Sequence, residues 1–475
     1  MHGQESRLTR RGMLMGLGAA GAWGAAARRG RAARGSSDGE VDDYGEAIAE
    51  AVAATPIVDT HEHLPDEEER LGGQHVACDD WALLFSHYLD SDLISAGMSG
   101  EACDRFLGRE LDPVAKWRLI APYWPAVKNT GYGQAVRFAL QQLYGIDELR
   151  EDAIPRLQEA YLAARRPGFY REILVERARI ESCQVNYLWR PFRESRQPQL
   201  LMQDISILGM HMGPDIEAYA GPAGKEVRSL ADWHAVIDWW FERYGPFAVA
   251  VKTQAAYSRG VDFEQVPAEQ AEPVFAKVVA AEPTSELERR RLEDHLFWYC
   301  VRRATEQSLP VKIHLGYYAG QNSMPLERVA ANPAEAARLC RRAPDATFVF
   351  MHIAYPFWQD LIAVAKHYAN AHLDMCWAWI IDPAASTDFL RQYLVTAPAN
   401  KVLTFGGDYI PVEPVLGHAA LARTGIIRAL TRLVDEGWLG VADALDLVEP
   451  LLRGNARRIF RLEEKARRLA AAPWA

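Results

Sequence analysis

The chain has 475 residues, 49% of them hydrophobic, and a net charge of −10 at neutral pH. This content allows a large core, and the length exceeds the usual size of a single domain unless the fold is a large barrel. The first 35 residues hold seven arginines and one glutamate, which leaves 46 basic and 62 acidic residues, a balance of −16, for the rest. Such an acidic body argues against nucleic acid as a partner.

The N-terminus has the pattern of an export signal. Arg10 and Arg11 stand together in TRRGML, and a Gly/Ala-rich apolar run and further arginines follow. This resembles a twin-arginine signal, which predicts export of the folded protein to the periplasm or the exterior, with cleavage near Ala27. The apolar run is too short for a stable membrane span. A basic tail on a cytoplasmic protein is the alternative, so residues 1–38 are separated from the domain predicted over 39–475.

The six cysteines are scattered along the chain without a CxxC pair, at Cys78, Cys103, Cys183, Cys300, Cys340 and Cys376. This spacing predicts neither a disulfide framework nor a thiolate zinc site. We therefore expect each cysteine to be a buried free thiol.

Eight short apolar runs alternate with longer amphipathic stretches. The runs occupy 57–63, 179–189, 199–210, 247–254, 309–316, 346–353, 370–377 and 401–408. Runs that are apolar on both faces and separated by helical patterns indicate parallel strands covered by helices on each side. Eight of them predict an α/β fold of the (β/α)8, or TIM barrel, class.

More than a hundred residues separate the first two predicted strands. Within them, apolar residues recur at three- and four-residue spacing, which is typical of amphipathic helices. We therefore predict a large helical insertion after strand 1, over roughly residues 75–175, on the catalytic face of the barrel. After the fourth predicted strand, the segment from Val266 to Ser308 has the pattern of one long helix.

Side chains suited to metal chemistry stand on several of the predicted strands. They are His61 and His63 on the first, Lys252 on the fourth, His314 on the fifth, His352 on the sixth and Asp408 on the eighth. Residues i and i+2 of a strand share a face, so the two imidazoles of the HxH motif point the same way. Active sites of such barrels lie at the C-terminal ends of the strands, where these side chains would meet. Neutral imidazoles and a carboxylate bind a divalent metal such as zinc.

The order of these residues resembles that of the amidohydrolase superfamily. The stretches that carry the resemblance are VDTHEH, VKTQAAYSRG, VKIHLGYYAG, FVFMHIAYPF, LTFGGDY and GNARRIF. More narrowly, the sequence resembles the branch that contains uronate-isomerase-like hydrolases and metal-dependent non-oxidative decarboxylases. The resemblance implies an enzyme that acts on a small-molecule substrate with a divalent metal, zinc being the expected ion. It also implies a homo-oligomer such as a dimer.

The resemblance further implies a role for each residue. His61, His63 and Asp408 become metal ligands together with His314, and Asp408 also moves the reacting proton. His352 either binds a second metal or polarises the substrate, so the expected metal count is one or two.

Lys252 keeps three interpretations. In two-metal relatives the corresponding lysine is carboxylated and bridges the metals. As an ordinary ammonium it would instead bind a substrate carboxylate. The structural alternative is a buried lysine paired with an acid.

Four more residues are predicted to bind substrate because they follow strand ends. They are Tyr257, Arg259, Tyr317 and Trp377. An arginine offers a planar fork for a carboxylate. For Arg259 a loop-anchoring ion pair is the alternative, and for each aromatic residue the alternative is packing.

The leading functional prediction is a metal-dependent hydrolase that cuts an amide-type C–N bond or an ester or lactone bond with metal-activated water. A non-oxidative decarboxylase or a uronate-type isomerase would use the same site, because such enzymes share ligands and differ in pocket shape. A non-catalytic binding protein is disfavoured because all the expected ligand types are present. Neither a GxSxG elbow nor a strand-linked GxGxxG supports another enzyme class.

Overall fold

The computed structural model describes residues 43–320 and 324–474, so the export signal predicted over 1–38 lies outside the described residues. The strands, in chain order, are β1 (Ile57–Glu62), β2 (Ile180–Val185), β3 (Leu201–Gln203), β4 (Ile205–Ser206), β5 (Val251–Thr253), β6 (Val311–Ile313), β7 (Phe348–Phe350), β8 (Ala371–Asp374) and β9 (Val402–Leu403). Every ladder between neighbouring strands is parallel.

The strands close into a barrel. One sheet has the order β1-β2-β3 and the other runs from β4 to β9. The third predicted strand is split into β3 and β4 at Asp204, whose N–H donates to the Val185 carbonyl at 2.8 Å. At the other seam, the Thr60 N–H donates to the Phe405 carbonyl at 2.9 Å. The predicted TIM barrel is confirmed, since all eight runs contain a strand.

The predicted helical insertion fills the chain between β1 and β2. Its helices are Glu67–Leu71, Leu89–Ser95, Gly100–Leu107, Pro113–Ile120, Trp124–Val127, Gly131–Tyr144, Ile154–Ala164 and Phe169–Arg171, followed by a π-helix at Glu172–Arg177. Local signals set their ends. The Asp112 carboxylate accepts from the first free N–H groups of Pro113–Ile120, and Gly131–Tyr144 ends at Gly145 with φ of 66°, a conformation that glycine adopts without steric cost.

The remaining helices lie before β1, between the later strands and after β9. They are Asp43–Ala54, Leu208–His211, Ile216–Ala223, Leu230–Tyr244, Ala268–Val279, Glu286–Glu306, Asn332–Arg342, Trp358–His367, Ala378–Ile381, Pro383–Leu394, Glu413–Asp435, Val441–Asp446, Asn455–Ile459 and Leu462–Leu469. The single long helix predicted from Val266 to Ser308 is wrong: two helices lie there. Pro283 interrupts the segment, and Ser285 starts the second helix with a capping box to Glu288.

Part of the barrel interior beneath the strand ends is polar. Lys312 and Asp204 form a fully buried ion pair with Nζ to Oδ2 at 2.9 Å, and the Thr60 hydroxyl donates to Asp374 Oδ2 at 2.7 Å. Such barrels usually fill this space with branched apolar side chains.

Across 43–320 and 324–474, none of the helices combines the length and apolar composition that a membrane crossing requires.

Candidate metal centre and substrate cavity

A histidine of β1, a histidine directly after that strand and an aspartate after β9 meet at the C-terminal end of the barrel. His61 Nε2 lies 3.1 Å and His63 Nε2 lies 3.2 Å from Asp408 Oδ1. All three residues are buried. The alternation of side chains along a strand places both imidazoles on one face, so the HxH motif and Asp408 form one cluster.

The glycines of the GGD sequence allow Asp408 to reach this position. A Cβ atom on Gly407 would stand 1.8 Å from Glu62 Oε1, so the backbone approaches β1 more closely than any side chain permits. Glu62 Oε2 accepts the Tyr409 N–H at 2.6 Å, and the Asp408 N–H donates to the His61 carbonyl at 2.8 Å. These bonds hold Asp408 in a left-handed conformation with φ of 63°.

Backbone carbonyls decide which nitrogen of two histidines carries the proton. His63 Nδ1 lies 2.7 Å from the Asn186 carbonyl, and His352 Nδ1 lies 3.0 Å from the Cys376 carbonyl. A carbonyl only accepts, so each Nδ1 carries a proton, and in a neutral imidazole the Nε2 that faces Asp408 then presents a lone pair. His352 Nε2 is buried without a partner among the described residues, 3.9 Å from Asp408 Oδ2. Unprotonated nitrogens that face a carboxylate fit a divalent cation.

The electrostatics give these groups the protonation states that bind metal. Burial alone raises the pKa of the Asp408 carboxyl, but the neighbouring histidines, His61 above all, hold it well below its usual value. Burial and the nearby Lys252 lower the pKa of His61, and burial lowers that of His352 to about 4. At neutral pH the carboxylate is therefore ionised while the His61 and His352 imidazoles are neutral.

Lys252 enters the same cluster from β5. Its Nζ lies 3.1 Å from His61 Nε2, and burial lowers its pKa. Within the described part of the chain, no carboxylate lies within ion-pair distance of it, so the acid-paired alternative has no support there.

His314 lies at the end of β6 but is turned differently. Its Nε2 donates to the Tyr317 carbonyl at 3.0 Å, and its ring lies 4.3 Å from that of His352. Among the described residues, two sets of three side chains each bring their possible ligand atoms within 4.8 Å of one another, and His314 belongs to neither set. One set is His61, His63 and Asp408, and the other is His352, Cys376 and Asp408.

A cavity of about 350 Å³ opens above the cluster. Five residues singled out from the sequence line it: His63, Lys252, Tyr257, His314 and Asp408. The Tyr257 hydroxyl oxygen accepts the Ala319 N–H at 3.0 Å, so its own proton is free to be donated. Tyr257 is thus placed to contact a substrate.

Three predicted substrate residues lie elsewhere. Arg259 is not on the cavity wall, because its guanidinium pairs with Glu293 at 2.9 Å and Asp294 at 2.7 Å. Arg259 therefore forms the loop-anchoring ion pair that was the alternative to substrate binding. Trp377 is fully buried and stacks on Tyr88 with ring centroids 4.7 Å apart. Half-buried Tyr317 packs near Trp377 and is also absent from the wall.

The cavity contains residues that the sequence analysis missed. The His87 Nδ1 accepts the Ile410 N–H at 3.1 Å, so its Nε2 carries the proton, and burial lowers the pKa of His87 to about 3. The Asn186 side chain is buried, and both ends of its amide lack a described partner. Asn186 directly follows β2, a position that could have signalled it, whereas His87 lies in the helical insertion without any strand-end signal.

Comparisons with known proteins agree with this architecture. The sequence profile of the family described as Amidohydrolase matches residues 187–462. The protein fluG of Emericella nidulans is 24% identical over 232 residues, which cover 46% of this chain and 26% of that protein. This chain therefore spans about a quarter of the length of that relative.

Two solved structures share the fold. Glucuronate isomerase from Caulobacter crescentus aligns with a TM-score of 0.72 at 18% identity, over 90% of this chain and 96% of that chain. Uronate isomerase from Thermotoga maritima aligns with a TM-score of 0.70 at 13% identity, over 88% and 97%. Identities this low support a common barrel and leave the reaction to the side chains of the site.

Proposed function

Because the chain belongs to the amidohydrolase family of metal-dependent enzymes, we propose that it hydrolyses an amide-type C–N bond, or an ester or lactone bond, of a small polar or anionic substrate. One observation carries the proposal. Backbone carbonyls hold the Nδ1 atoms of His63 and His352, so that both Nε2 atoms face the ionised Asp408 carboxylate, an arrangement of ligand atoms that a bound cation stabilises.

We assign His61, His63 and Asp408 as the residues that hold the ion. Two imidazoles and one carboxylate are the ligand set of a catalytic zinc site, so zinc is the proposed metal. When bound, a divalent ion supplies Lewis acidity and lowers the pKa of a water molecule to near neutrality.

The residues around the ion would orient the substrate and move the proton. Asp408 Oδ1 faces His61 and His63, while Oδ2 is directed towards His352. Oδ2 is therefore the atom proposed to accept the proton of the attacking water and return it to the leaving group. The lone pair of His352 Nε2 is available to accept a hydrogen bond from the substrate. The Tyr257 hydroxyl donates to a substrate oxygen.

Lys252 supports a second candidate function. An ammonium at this position would hold a substrate carboxylate beside the metal ligands. Decarboxylation or isomerisation of a hydroxy acid needs such a group, and the two solved relatives named above are isomerases. Hydrolysis remains the leading proposal because the ionised Asp408 carboxylate lies beside the residues that would hold the ion, where a water activated by that ion would need its proton acceptor.

Metal content per chain tests the proposal. Elemental analysis of the wild type should give about one equivalent of divalent metal, lost in His61→Ala and kept in the surface variant His367→Ala. The loaded protein should then hydrolyse members of a panel of amides, esters and lactones. Absence of metal from the wild type, or turnover only of hydroxy acids, would contradict the assigned function.

A further inference from the structure

A second cavity, of about 250 Å³, lies at the opposite, N-terminal end of the barrel. It adjoins the chain just before β1 and β2 and the helices Gly131–Tyr144 and Glu413–Asp435. Much of its wall is apolar, with Ala53, Phe138, Leu416 and Ala420 among the lining residues. Three arginines also line it: Arg177, Arg179 and Arg423.

Arg423 is the unusual member of this wall. Only 2% of the residue is exposed, yet its hydrogen-bond partners are neutral backbone carbonyls. Nη1 donates to Val52 and to Thr55, the latter at 2.9 Å, and Nη2 approaches the carbonyls of Ala178 and Arg179 at 3.5 Å. No acidic side chain of residues 44–320 or 324–474 lies within ion-pair distance of it. Burying a cation without a counter-ion is costly.

The other charged residues of the cavity do not balance the positive charge of Arg423. Arg179 lies at the mouth, where Nη2 donates to the Ala54 carbonyl at 2.6 Å, and the described chain offers it no ion pair. Burial, with the neighbouring Arg179, lowers the pKa of Arg423 to about 9, as expected for a positive site without an anion. Glu176 also lines the cavity, but it is exposed and faces Arg171 at 3.7 Å.

We propose that this cavity binds a small organic anion, a carboxylate that carries a short apolar chain. The carboxylate would pair with the positive charges of Arg423 and Arg179, because neither guanidinium has an ion-pair partner in the described part of the chain. The apolar chain would contact Ala53, Leu416 and Ala420. The volume is close to the lower end of the usual range of ligand sites, about 300 to 1,000 Å³.

The cavity and the metal centre share supporting elements, although the proposed anion binding does not depend on the chemistry of the metal centre. The Arg179 carbonyl accepts the N–H of Ile57 at 2.8 Å, and Ile57 is the first residue of the strand that carries His61. Arg423 stands on the helix that follows Asp408. A bound anion would therefore stabilise two elements that also support the metal cluster.

Calorimetric titration with hexanoate tests the site on the full chain. Binding is measured for the wild type and repeated for His61→Ala, so that an interaction with the metal centre is not mistaken for this one. We expect one hexanoate per chain in both proteins, and no binding of the neutral hexan-1-ol or of inorganic phosphate at the same concentration.

Three variants locate the binding. Arg179→Gln removes a cation at the mouth, and Ala420→Phe fills the apolar part, so each should weaken hexanoate binding at least tenfold. Arg428→Gln is the matched control, an exposed arginine on the helix of Arg423 that does not line the cavity, and it should bind like the wild type. Thermal melts confirm that each variant is folded. The inference is overturned by equal binding in Arg179→Gln and Ala420→Phe, by equal binding of hexan-1-ol, or by no hexanoate binding to the wild type.

Discussion

Two backbone carbonyls, those of Asn186 and Cys376, decide which nitrogen of His63 and of His352 carries its proton. At the scale of single residues this tautomer choice matters more than the presence of histidines, because only the unprotonated nitrogen can bind a metal. Asp408 is the residue on which both imidazoles converge. It has two roles here, one as a proposed ligand and one as a proton carrier.

Replacing Asp408 by asparagine should separate these roles from folding. The amide retains the size of the side chain but cannot accept the proton of water, so turnover should fall by at least about 10²-fold. The melting temperature of the metal-free protein should change little. The surface variant Asp360→Asn provides the control in both assays. Full activity in Asp408→Asn would eliminate the assigned proton transfer.

Asn186 provides a second prediction at this scale. Its buried amide has no described partner, so replacement by the similarly sized leucine should leave stability unchanged or raise it by up to about 1 kcal/mol. A substrate that bonds to the amide would lose that contact, and KM should rise about tenfold. Denaturant unfolding and steady-state kinetics measure the two effects. An unchanged KM would show that Asn186 does not bind substrate.

At the scale of elements, the helices Leu230–Tyr244 and Glu286–Glu306 meet through a pair of histidines. His295 Nδ1 donates to the Val266 carbonyl at 2.8 Å, so its Nε2 accepts the proton of His234 Nε2 at 3.0 Å. Burial, and then the charge of His295, lower the pKa of His234 to about 4. The contact therefore requires neutral imidazoles and is sensitive to acid.

The free energy of unfolding should reflect this pair. His234 has a folded pKa of about 4, below its usual value of 6.5, so the unfolded chain binds more protons between these values. The contribution is present above pH 6.5 and is lost as the pH falls towards 4. Because His234 is partly exposed, its pKa shift should contribute about 1–2 kcal/mol to the free energy of unfolding at pH 7. Urea unfolding of wild type and His234→Gln at pH 7 and pH 4.5 checks this. A parallel loss in both proteins would contradict it.

At the scale of the whole molecule, the metal cluster joins the first strand to the chain after the last one. His61 comes from β1, His63 directly follows that strand, and Asp408 comes from the segment beyond β9, so a ligand that binds all three would link the first and last strands of the barrel. Binding to the folded state alone raises the free energy of unfolding by mass action.

Metal removal should therefore lower the melting temperature. At free metal near 1,000 times Kd the bound ion contributes about 4 kcal/mol, which a chelator would withdraw. Scanning calorimetry with and without EDTA should show a drop for the wild type, reversed by excess Zn²⁺. His61→Ala should melt at one temperature under both conditions. No response in the wild type would mean that the ion does not link the strands.

Much of the architecture was predictable because its signals are local. Apolar runs separated by helical patterns identify parallel strands, and active sites of such barrels lie at strand ends, so the TIM barrel and the meeting of His61, His63 and Asp408 followed from the sequence. Pro283 is a local signal for the break in the predicted Val266–Ser308 helix, but the amphipathic patterns on either side of it favoured a single helix.

The sequence by itself determined the family, the barrel and the positions that face its catalytic end, because strand alternation and strand-end placement depend only on neighbours in the chain. Tertiary structure alone decided the partners of each side chain. Arg259 turned to Glu293 and Asp294, and the Nε2 of His314 to a carbonyl. His87 reached the cavity from an insertion, and Arg423 was buried without an anion. Such choices depend on distances between residues remote in sequence, which no local pattern contains.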